Sequence, residues 1–114
     1  MQPQPVTVAA VQIGSVLFDT ARTLDKAIAL HPAKVIPGHG AVCGVAEIQA
    51  SRDYLAALWE AALAAVRAHK PLDQLEREFD ASHFGLKAIM PGMGASKNLQ
   101  AAFDEATAWV AAGH

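Results

Sequence analysis

The chain has 114 residues, the size of one domain rather than two. Apolar residues make up 53% and charged residues 18%, a balance that excludes the highly charged composition of disordered chains and favours a buried core. A formal net charge of −2 supplies no broad cationic field, so neither nucleic acid nor an anionic membrane is an expected partner. The single thiol, Cys43, excludes an internal disulfide and a cysteine-rich zinc module, and leaves a reduced cytoplasmic setting as the default.

The start, Met1-Gln2-Pro3-Gln4-Pro5, lacks the basic and apolar regions of a secretory signal. Val6 to Ile13 mixes β-branched and small residues and ends at Gly14-Ser15, which predicts a strand. From Asp19 or Thr20, either of which can cap a helix, Ala21, Leu24, Ala27 and Ile28 form an apolar stripe. That helix is expected to end near His31, because Pro32 disfavours helical backbone in the residue before it. Lys34-Val35-Ile36 then reads as a brief buried strand closed by Pro37-Gly38.

Beyond the loop from Gly38 to Gly44 the pattern turns strongly helical. Ile48, Leu55, Leu58, Trp59, Ala62 and Val66 recur on one side, while Glu47, Arg52, Asp53, Glu60 and Arg67 take other angles. Charges interrupt this stretch too early for it to span a bilayer, so no membrane segment is expected. Pro71 stops the helix near His69. Leu72, Leu75 and Phe79 mark a shorter helix, and the glycines and prolines from Phe84-Gly85 to Gly94 mark an irregular connection. Ser96 opens a last helix carrying Leu99, Ala102, Phe103, Ala106 and Val110, with Gly113 as a left-handed terminal cap.

Chemistry concentrates in Val35-Ile36-Pro37-Gly38-His39-Gly40. A histidine between two glycines at a strand end is presented with no neighbouring side chains in its way, as a metal ligand or general base requires, although such turns also hold purely structural histidines. The remaining candidates have plainer readings. His31, His69 and His83 have no histidine partner at helical spacing and read as surface or helix-end residues, and His114 is terminal. Cys43 reads as an unreactive thiol, and Asp73, Glu76, Glu78 and Asp80 as a solvated face. Trp59 and Trp109 read as packing residues, and Met90 and Met93 as gap-fillers in a loop.

The run from Thr23 to Val42, with its helix, short strand and Pro-Gly-His-Gly turn, followed by a long helix opening with Arg52-Asp53-Tyr54-Leu55, resembles the carboxyl-terminal part of metallo-β-lactamase fold hydrolases. In the relay-system and SoxH-like branch a later asparagine introduces a final helix, and Asn98-Leu99-Gln100-Ala101-Ala102-Phe103 is similar to it. The resemblance implies an α/β, helix-rich fold: a partial αββα layer with short strands and three to four helices in one domain over 1–114. It also implies that His39 inherits the last ligand position of a two-metal centre. The family's His-x-His-x-Asp-His segment occurs nowhere in the chain, and Asp19 lacks the glycine that precedes the family's bridging aspartate.

A catalytic zinc site needs three protein ligands and an open position, so zinc is expected at His39 only if other ligands are supplied. Three functions remain open. The chain is a metallo-β-lactamase-like domain without a complete dinuclear site and not catalytic alone, a metal-dependent hydrolase completed by another chain, or a helical protein-interaction module. The family's range of thioesters, lactams, phosphodiesters and other esters leaves the substrate unassigned. A homo-oligomer is expected, with Trp59 or Leu55 near a two-fold axis, because the long apolar stripe exceeds what a half-sized layer can cover.

Overall fold

The protein is described by a computed structural model over residues 17–36, 42–84 and 95–114, with the side chains of 17–20, 83, 95 and 96 left aside. Four α-helices follow one another among these residues: α1 (Leu17–Ala29), α2 (Val45–Arg67), α3 (Leu72–Glu78) and α4 (Ala95–Ala111). A 3₁₀ turn, Ser82–Phe84, follows α3.

The centre of the fold is α2, whose 23 residues extend about 34 Å at 1.5 Å per residue. Its apolar stripe faces inward. Leu58, Trp59, Ala62 and Ala65 are buried against Leu99, Ala102 and Ala106 of α4 and Leu75 of α3. Leu58, Ala62 and Ala65 are spaced four and three residues apart and Leu99, Ala102 and Ala106 three and four, so each set lies on one side of its helix. Four of the core residues are alanines, which let the helix backbones approach, while Leu58, Leu75, Leu99 and Trp59 supply the larger side chains. Toward its start α2 packs instead on α1, where Leu24 and Ile48 are buried.

Helix ends follow from backbone geometry. At the end of α2, His69 takes φ 55° and donates its N–H to the Val66 carbonyl at 3.1 Å, while Lys70 N–H reaches back to Ala65 at 2.8 Å. This pair of bonds is the Schellman arrangement, with histidine in the left-handed position that glycine commonly takes. His31 repeats the conformation after α1, at φ 50°, with its N–H on the Ile28 carbonyl at 3.0 Å. Gly113, at φ 98°, closes α4 as its sequence position indicates, with its N–H on Val110 at 3.0 Å. Both α1 and α4 begin earlier than their expected caps, at Leu17 and Ala95.

The expected αββα layer is not found among the described residues, which are helix-rich. Among the described residues there is no strand and no sheet; the Lys34-Val35-Ile36 run contributes a single antiparallel bridge between Val35 and Cys43. A sheet needs neighbouring ladders to pair its backbone and cover its faces, and here the apolar stripes are covered by other helices instead. The strand expected over Val6–Ile13 and the loop holding Met90 and Met93 lie outside the described residues, as does His39. Among the described residues no helix is long and apolar enough to cross a membrane.

Candidate functional site around the His39 loop

The connection from α1 to α2 carries the one motif with chemical content. The left-handed turn at His31 and the following Pro32 redirect the chain out of α1. Val35 N–H donates to the Cys43 carbonyl at 2.8 Å and Cys43 N–H returns to Val35 at 2.9 Å, so the two ends of the Pro-Gly-His-Gly segment are tied together. Residues 37–41, His39 among them, lie outside the described residues. Ile36 immediately follows Val35 and Val42 immediately precedes Cys43 in the chain. Ile36 and Val42 are 84% and 60% exposed, and Leu30 at the end of α1 is 59% exposed.

The far side of the connection is anchored in α2. Gly44, in extended conformation before the first turn, donates its N–H to Glu47 Oε2 at 2.9 Å. That bond satisfies an amide at the helix start and places a carboxylate in the first turn, where the helix dipole favours it. One turn further on, Arg52 Nε donates to Asp25 Oδ1 of α1 at 2.8 Å, with a longer contact of 3.4 Å to Asp53. The hydrogen bond to Asp25, and then its negative charge, push the Arg52 pKa further up. Gln49 Nε2 holds Asp53 from the preceding turn at 2.9 Å. Of these contacts, the Arg52–Asp25 pair links α1 to α2.

Tyr54 joins the other elements. Its hydroxyl accepts a hydrogen bond from Asn98 Nδ2 at 2.9 Å, across 44 residues of sequence. Its ring meets Phe84 of the 3₁₀ turn edge-on at 5.6 Å between centroids and Phe79 at 6.5 Å. The Arg52-Asp53-Tyr54-Leu55 run therefore contacts α1 through Arg52 and α4 and the end of α3 through Tyr54. Sequence periodicity gives no sign of such a junction, because the partners are remote in the chain.

The other candidates separate. Cys43 is half-buried with a free thiol. His31 and His69 are exposed helix-end residues. The His114 ring stacks on Trp109 at 3.9 Å, and Trp109 meets the buried Trp59 edge-on at 5.9 Å. On α3, Asp73 pairs with Arg77 at 3.4 Å, while Glu78 accepts from Lys70 at 3.2 Å and from Gln74 at 3.0 Å. Those hydrogen bonds, Gln74 first and then Lys70, hold the Glu78 carboxyl below its usual range.

Among the described residues no three histidine, cysteine, aspartate or glutamate side chains come together as a metal-holding group. Comparison with protein-family models, with curated proteins and with solved structures finds no match.

Proposed function

We propose that the chain is a helix-rich metallo-β-lactamase-like domain that carries the Pro-Gly-His-Gly segment with His39, lacks a complete dinuclear metal site and is not catalytic alone. The observation that carries this reading is the 2.9 Å hydrogen bond from Asn98 to Tyr54. It links two of the stretches that carry the resemblance, Arg52-Asp53-Tyr54-Leu55 within α2 and the later Asn98-Leu99-Gln100-Ala101-Ala102-Phe103 segment, beside the Thr23–Val42 run with its Pro-Gly-His-Gly motif. The Val35–Cys43 bridge adds support, since it gathers the ends of the Pro-Gly-His-Gly segment between α1 and α2. The proposal concerns the helices and this loop, without an αββα layer.

In this reading His39 contributes one donor, and further ligands would have to come from polypeptide that carries them. Ile36 and Val42 give that polypeptide an apolar surface beside the loop. Zinc would supply Lewis-acid polarisation and a bound water of lowered pKa once its other ligands were in place.

Metal analysis of protein purified without chelators, together with assays on ester, thioester and lactam substrates, tests the proposal. The expected result is far less than one zinc per chain and no turnover. Stoichiometric zinc with turnover abolished by His39→Ala would replace it with a hydrolase whose site is completed between copies of this chain.

A further inference from the structure

We draw no further inference here: the strongest candidate, the exposed apolar face of Ile36 and Val42 beside the Val35–Cys43 bridge, belongs to the site already described, and nothing in the structure shows whether a second copy or another protein covers it.

Discussion

Replacing Trp59 and Ile36 in turn separates the apolar surface that holds the chain together from the one that stands open. Trp59 is 9% exposed, and a tryptophan buries about 150–250 Å². At about 25 cal/mol per Å² its burial is worth roughly 4–6 kcal/mol, and measured losses for truncating a buried aromatic run to about 3–5 kcal/mol. The edge-on contact with Trp109 is lost in the same step. Trp59→Ala is therefore expected to cost about 3–5 kcal/mol, a large share of the roughly 5–15 kcal/mol by which a domain is stable. Ile36→Asp alters a side chain that is 84% exposed and is expected to change stability by less than about 0.5 kcal/mol. Urea unfolding followed by far-ultraviolet circular dichroism measures both, with light scattering run on the same samples. The packing argument fails if Trp59→Ala costs under about 1 kcal/mol while shrinking an assembly to monomers, since a residue on an intermolecular axis would behave that way.

Two further substitutions test local features. His69→Gly is expected to stabilise the protein by about 0.5–1 kcal/mol, because φ 55° is strained for a residue with a Cβ and free for glycine. Ala64→Gly, at an exposed interior position of α2, is expected to destabilise by about 1 kcal/mol; losses of equal sign and size in the two variants would show that the helix continues through residue 69. Glu78 has its folded-state pKa lowered from 4.5 by Gln74 and Lys70. Its contribution is present above that ordinary value and disappears as pH falls through the folded-state value, because the unfolded chain binds the proton more readily. Unfolding titrations across this acid range should show a shallower loss of stability in Glu78→Gln than in the parent, and parallel curves would refute the assignment.

Much of the helical fold is legible in the sequence, and the reason is local. The stripes of α1, α2 and α4 repeat at helical spacing, and Pro32 and Pro71 mark where α1 and α2 have ended. Gly113 announces its left-handed cap, whereas His31 and His69 adopt the same conformation without the residue type that signals it. The misleading segment is Lys34-Val35-Ile36. A three-residue apolar run has the composition of a buried strand, yet strand identity depends on pairing partners elsewhere in the chain, and only Val35 finds one among the described residues, at Cys43. The expected uncovered face of α2 has a similar explanation. Ile48, Leu58, Trp59 and Ala62 are indeed its inner residues, but Leu99, Ala102 and Ala106 of α4 cover the later part within the same chain. At the candidate site the motif around His39 is visible in sequence, while the contacts of Arg52 with Asp25 and of Tyr54 with Asn98 emerge only when distant segments are brought together.

The junction between Tyr54 and Asn98 bears directly on the account, because it joins two of the segments that carry the resemblance behind the proposed function. A double-mutant cycle of Tyr54→Phe, Asn98→Ala and the pair, read by urea unfolding, isolates their interaction from each residue's other contacts. Each single change is expected to cost about 0.5–1.5 kcal/mol, and the double variant less than the two together, leaving a coupling of about 0.5–1 kcal/mol. Strictly additive losses would mean that the hydroxyl and the amide do not meet, and would contradict the contact between Tyr54, near the middle of α2, and Asn98 in the first turn of α4.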